Sequence, residues 1–351
     1  MTTTMTRTKR MPRGLQTVFQ DAHVTRLAVV LVLLLGFFAV MKWPNFSSVV
    51  TWQAMAMQFP EFGLLALGVM LTMVLGGIDL SVVGTANLTS IATAMLMLKI
   101  APIGSDSSTG YLALGAGVVF ALVVGAAAGA LNGVLVAKVK IPAILVTLGT
   151  FELFTGIALV LSAGKPISGL PPEYAYVMGS HIATYIPMVL IVFIVGAIII
   201  WYLMNRTAFG TKLYMLGSNE TAANFSGLKT TSLIVRTYTI SGVYAAGAGL
   251  VMLANYNSAK ADYGSTYTLL AILIVVLGGI NPNGGTGRLA GVVLAVIVLQ
   301  VLSSLLNTFP DVSNFYRPLI WGGVLLIVIV INQWDKRGNL MRMLRWRGQR
   351  T

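Results

Sequence analysis

Apolar residues run along this chain in long blocks, separated by short polar breaks. A helix that crosses a bilayer needs about 20 predominantly apolar residues. By that measure the blocks at about 27-43, 61-77, 81-100, 111-137, 142-162, 183-204, 232-255, 265-280, 287-306 and 316-333 predict ten membrane-spanning helices. The breaks alternate in charge. Arg7, Lys9, Arg10, Arg13 and Arg26 precede the first block, and Lys138 and Lys140 follow the fourth. Arg206, Lys212, Lys229 and Arg236 follow the sixth, Arg288 the eighth, and Lys336, Arg337, Arg342, Arg345, Arg347 and Arg350 the tenth. With the N-terminus inside, these 18 of the 23 Lys and Arg face the cytoplasm, while Lys42, Lys99, Lys165, Lys260 and Arg317 fall at outer ends. One span more or fewer would place a basic terminus on the wrong side. The expectation is therefore an all-α, polytopic membrane protein with both termini cytoplasmic: a basic segment at 1-26, a transmembrane domain at 27-333 and a basic tail at 334-351.

Composition agrees with this reading. With 56% hydrophobic and 9% charged residues, 351 residues carry too few charges to solvate a globular surface. The net charge of +13 sits at the termini and inner breaks, where it orients the chain and meets anionic membrane lipid, so no nucleic acid is expected as a partner. The first block runs into Lys42-Trp43-Pro44 without a small-residue cleavage site and reads as an anchor. No cysteine and only two histidines, His23 and His181, leave neither a disulfide nor a Cys/His metal site to expect. Phosphate-loop, nucleophile-elbow and zinc-helix patterns are missing, so no catalytic residue is predicted.

Polar groups inside the blocks are the informative exceptions, because charge at membrane depth is costly. Asp79 lies in Gly76-Gly77-Ile78-Asp79-Leu80-Ser81, between two blocks too close for an ordinary loop. It marks either a broken segment whose polar groups line a cavity, or a tight turn with Asp79 as helix cap. Glu152 lies near the middle of the fifth block and needs a polar partner, a wet path or a solute to contact. Proton coupling is the weaker option, since no second acid or histidine stands near it. Gly125, Gly129 and Gly133 recur every four residues, a helix face that lets another helix approach closely. In the longest inner connection, 205-230, Ser218 or Asn219 can cap a short helix with Glu220 in its first turn and Gly227 at its end. So short a helix must rest on the inner ends of the spans or on a cytoplasmic partner.

Five stretches carry a resemblance. They are Gly76-Gly-Ile-Asp-Leu-Ser81; Asn132-Gly-Val-Leu-Val136 with Ile141-Pro142 and Thr147-Leu-Gly-Thr150; Phe209-Gly210 with Tyr214, Gly217, Asn219, Ala222-Ala223 and Gly227; Val276-Leu-Gly-Gly279 with Gly284-Gly and Gly287-Arg288; and Asn307 with Tyr316. In this order they resemble the membrane permease subunits of bacterial ATP-binding-cassette sugar importers, the group of ribose, xylose, galactose and arabinose permeases. Val82-Val83-Gly84, and Thr155-Gly156 with Glu152 nearby, depart from that pattern.

The resemblance implies a multi-pass protein of the bacterial inner membrane that moves a small neutral sugar or polyol inward. Its implied partners are a separate cytoplasmic ATPase holding ATP and Mg, a periplasmic sugar-binding protein, and a second permease, identical or related. It makes 205-230 the segment that docks on the ATPase, through Phe209, Gly210, Tyr214, Gly217, Asn219, Glu220, Ala223 and Gly227, with no cofactor on this chain. The outer loops 163-182 and 256-264, with Lys165, Glu173, Lys260 and Asp262, would receive the binding protein. A neutral solute calls for a polar pathway, for which the candidates are Asp79, Asn87, Asn132, Thr150, Phe151, Glu152, Gln300 and Asn307, with Tyr244 as a further stacking ring. Competing expectations are an ion-coupled secondary transporter, a relative specialised for nucleosides, sugar-derived signals or branched amino acids, and a membrane scaffold.

Overall fold

The computed structural model describes residues 22–182 and 185–309, together with 316, 319–323 and 326 of the last apolar block. Helices dominate it, in the order α1 (Ala22–Met41), α2 (Trp43–Phe46), α3 (Val49–Leu75), α4 (Val82–Ile100), α5 (Ser107–Ala137), α6 (Ala143–Ser162), α7 (Pro172–Gly179), α8 (Met188–Arg206), α9 (Ala208–Ser218), α10 (Glu220–Phe225), α11 (Thr230–Tyr256), α12 (Tyr267–Leu277) and α13 (Leu289–Asn307). Among the described residues, eight helices are long and apolar enough to cross a membrane: α1, α3, α4, α5, α6, α8, α11 and α13. The all-α polytopic fold read from the sequence is what the chain adopts.

Two of the expected spans take a different form. The block expected at 61-77 begins at Val49, because Gln53, Gln58, Pro60 and Glu61 interrupt its hydropathy without ending the helix. Pro60 lies inside it, its missing N–H tolerated in a buried membrane helix whose neighbours hold the local backbone. The block at 265-280 folds as the 11 residues of α12, ended by Gly278 and by Gly279 at φ 86°. At 1.5 Å per residue it covers about 16 Å, roughly half the hydrocarbon core. Of the block at 316-333, Tyr316, 319–323 and Leu326 are helical and the rest lies outside the described residues, as do 1–21 and the tail at 334-351.

Helix α11 is the pillar of the bundle, packed against α3, α4 and α5. The glycine face of α5 makes its closest seam. A Cβ on Gly125 would stand 2.5 Å from the Gly242 carbonyl, one on Gly129 2.1 Å from the Tyr238 carbonyl, and one on Gly133 2.7 Å from the Val235 Cα. The close approach expected from the four-residue spacing is therefore backbone on backbone. Around α11, α3 packs on α8, α12 and α13, and α4 on α5 and α6. α1, α6 and α8 lie at the periphery, with Val32, Val40, Val160 and Ile198 turned outward as lipid-facing side chains would be.

At the end opposite Arg206 and Lys212, short strands tie the loops. β1 (Ile167–Ser168) pairs antiparallel with β4 (Ser258–Ala259), and β2 (His181–Ile182) with β3 (Ile186–Pro187). The two outer loops singled out in the sequence are thus joined directly, Ile167 opposite Ala259.

Candidate functional site

The glycine-rich break between α3 and α4 organises the polar interior. α3 stops because Gly76 takes the left-handed conformation at φ 97°, and the Gly77 N–H closes back on the Thr72 carbonyl at 2.9 Å. The chain then runs non-helically to Ser81. Asp79 is buried there, and its carboxylate is held by protein donors. Oδ1 accepts the Ser81 N–H at 3.0 Å and the Ser81 hydroxyl at 2.7 Å, and Oδ2 accepts the Ser241 hydroxyl of α11 at 2.8 Å. Asn132 of α5 donates to Ser81 Oγ at 2.7 Å. The break is thereby bonded to two other helices. Asn132 Oδ1 and the Tyr238 hydroxyl, which lies over Gly77, are buried without a hydrogen-bond partner among the described residues.

A cavity of about 660 Å³ reaches this break from the basic end. Gly76, Gly77, Lys140, Glu220, Thr230 and Tyr238 are among its lining residues. The cap reading fails, because Ser81 and not Asp79 precedes the first turn of α4, and the broken-segment reading stands in part: Gly76 and Gly77 line a cavity, while the Asp79 side chain is turned into the bundle.

The other predicted pathway residues are not gathered in one place. Asn87 donates to the Ala261 and Tyr263 carbonyls at 2.8 and 2.9 Å, holding the outer loop onto α4. Thr150 bonds back to the Val146 carbonyl, and Tyr244 reaches the Gly196 carbonyl of α8 at 2.6 Å. Phe151 is half-buried, its carbonyl against Gly84. Glu152 is exposed, and its carboxylate has no hydrogen-bond or ion-pair partner among the described residues. It shares an open face of α6 with Leu145, Leu148, Gly149 and Gly156, the two glycines meeting nothing within 4 Å. Asn307 is exposed at the end of α13, and Gln300 is buried beside Gln58 of α3.

One carboxylate escaped the sequence reading. Glu61 is 3% exposed and is the thirteenth of the 27 residues of α3, whereas an apolar block starting at 61 placed it at a helix end. The signal that would have found it is the helix-compatible pattern running through Pro60 from Val49. Among the described residues no group of three or more His, Cys, Asp or Glu side chains converges on a metal position.

At the basic end, 205-230 folds as two short helices. Thr207 caps α9 by accepting the Phe209 N–H, and Asn219 caps α10 by accepting the Ala222 N–H at 2.9 Å. Glu220 stands in the first turn of α10, and Gly227, at φ 79°, follows its end. The residues named for docking divide into two sets. Gly210 and Ala223 are buried, Phe209, Tyr214 and Gly217 are half-buried, and Asn219, Glu220 and Gly227 are exposed together with Phe225, which is 90% exposed.

The inward set forms a backbone clasp. Gly285 N–H donates to the Val74 carbonyl at 2.9 Å, and a Cβ on Gly217 would stand 1.9 Å from that same carbonyl. Tyr214 donates to the Gly287 carbonyl at 2.8 Å, where Arg288 beside it opposes the upward push of burial on the phenol pKa. At the other end, Lys260 pairs with Asp262 at 2.8 Å, and Glu173 lies over Gly110.

Residues 52–330 match the family described as the branched-chain amino acid transport system / permease component. The chain belongs to this permease family. Similar permeases include the ribose import permease protein of Bacillus subtilis (strain 168), 34% identical over 276 residues covering 77% of this chain and 81% of the relative. The ribose import permease protein of Escherichia coli (strain K12) is 31% identical over 292 residues, 82% of this chain and 87% of the relative. The autoinducer 2 import system permease protein of Yersinia pestis (strain Pestoides F) is 34% identical over 269 residues, 77% of this chain and 73% of the relative. No solved structure matches. The resemblance carried by the five sequence stretches is borne out, and this permease is a multi-pass protein of the bacterial inner membrane.

Proposed function

We propose that the chain is the pore-forming subunit of an ATP-driven importer for a small neutral sugar or polyol. The observation that carries this reading is the clasp at the basic end. Exposed Phe225 sits on a helix pair whose Gly217 packs backbone-on-backbone against Val74, two residues before the break that holds Asp79. In this reading the basic end faces the cytoplasm. A separate ATP-binding-cassette ATPase, holding ATP and Mg, docks on the exposed Asn219, Glu220 and Phe225. A displacement of α9 is then passed through Gly217 and Gly285 to Gly76, and from there to Ser81, Asn132 and Ser241.

A second permease, identical or related, covers the open face of α6. An uncompensated carboxylate at mid-membrane costs about 2.5–3.5 kcal/mol on insertion scales, so Glu152 is better placed against a wet path shared by two copies than against lipid. Thr150 and Phe151 stand on the same helix. The periplasmic binding protein meets the loops joined by β1 and β4, where exposed charges such as Lys260 and Asp262 tune docking by no more than about 1 kcal/mol per pair. Two relatives named for ribose import support a neutral polyhydroxylated cargo.

The test is reconstitution with an ATP-binding-cassette ATPase and a sugar-binding protein from the same cell. The reading expects ATP-dependent uptake of labelled ribose or a related sugar into proteoliposomes, reduced at least about ten-fold by Phe225→Asp. Uptake by the chain alone, driven by an ion gradient, would replace it with a secondary transporter.

A further inference from the structure

A second cavity, of about 410 Å³, lies between α3, α11, α12 and α13, well away from Asp79 and from the open face of α6. Its size is within the range of small-molecule sites, about 300–1,000 Å³. At its centre is Glu61. Oε1 accepts the Asn255 amide at 2.7 Å and Oε2 accepts the Tyr256 hydroxyl at 3.0 Å. Tyr267 stands as a third hydrogen-bonding neighbour, and since a carboxylate offers about four lone-pair sites, accepting capacity still remains. Across the cavity Gln300 donates to Gln58 at a long 3.3 Å, a contact readily exchanged for bonds to a ligand. The Tyr267 hydroxyl lies 3.4 Å from that of Tyr256, and Trp321 adds an aromatic ring to the lining.

We propose that this cavity is a binding site for a neutral polyhydroxylated solute, held within a single protomer. The lining chooses the ligand class. Both carboxylate oxygens already hold donors, and the amide and phenol groups around them both donate and accept. A set of vicinal hydroxyl groups does both, whereas an ammonium ion only donates. The indole and phenol rings supply flat apolar surfaces for the C–H faces of a sugar ring. The solute class is that of the proposed cargo and to that extent rests on the importer reading. The binding itself requires neither ATPase nor binding protein.

The full chain, purified alone in lipid nanodiscs, is titrated with D-ribose, D-galactose, L-arabinose and xylitol while its tryptophan emission is followed. The proposal expects a saturable change with at least one of the four, absent in Trp321→Phe. Glu61→Gln should raise the half-saturating concentration about ten-fold or more, equivalent to about 1.4 kcal/mol. Ala54→Phe narrows the mouth at an exposed position one helical turn before Gln58 and should do the same while leaving the melting temperature unchanged. No saturable response to any of the four overturns the proposal. So does a response that survives both substitutions, or one obtained only with tetramethylammonium chloride. ATP-driven uptake in the complete complex is read separately, so loss of the site and loss of the importer reading give different results.

Discussion

Asp79 holds three donors, two from Ser81 of the break and one from Ser241 of α11, and a buried acceptor withdrawn from its donors leaves each of them unsatisfied. Asp79→Ala should therefore lower the stability of the folded chain by about 2–3 kcal/mol, read as a fall in melting temperature in detergent. Ser241→Ala, which removes one donor, should cost about 1 kcal/mol on the same measurement. Glu152 is the opposite case. It is exposed and unpartnered among the described residues, so Glu152→Gln should leave the melting temperature of the isolated chain unchanged while altering uptake by the assembled complex. Both residues were legible in the sequence, because a carboxylate in an apolar run is conspicuous. Glu61 was not: Gln58 and Pro60 beside it made the helix look as though it began there. Asn87 and Gln300 were visible as polar residues, but their partners, 174 and 242 residues away, were not.

At the scale of elements, the seams are made by glycine. Gly129 meets the Tyr238 carbonyl with no room for a side chain, so Gly129→Val should force α5 from α11 and destabilise by about 1–3 kcal/mol, measured by thermal unfolding. Gly217 has the same geometry at the clasp, against Val74. In the complex with its ATPase, Gly217→Ala should leave ATP hydrolysis in place and reduce solute uptake about ten-fold, whereas equal losses of both would make the clasp a matter of assembly only. The glycine spacing on α5 announced its packing, and the capped α10 was readable from Asn219, Glu220 and Gly227. The half-length of α12 was missed because the apolar block up to 280 takes in Gly278 and Gly279, which end the helix. The β1–β4 pairing depended on two loops about 90 residues apart meeting in space, which no local pattern records.

For the whole molecule, the proposed function sets a direction: solute would enter at the end where β1 and β4 join the loops, and force would enter at the end of α9 and α10. The chain has no cysteine, so a single one is an unambiguous probe. Ser168→Cys on β1 should react with a membrane-impermeant maleimide from the periplasmic side, and Ser218→Cys at the end of α9 only after the cytoplasmic face is opened. Labelling of both from one side would overturn the assigned orientation. The central claim is that another protein's ATP hydrolysis drives this chain. Its most direct test is mild purification from the native membrane, followed by mass spectrometry of what accompanies it. The account predicts a cytoplasmic ATP-binding-cassette ATPase in stoichiometric amount, lost from the Phe225→Asp variant. Recovery of the chain alone, transporting solute under an ion gradient, would contradict it.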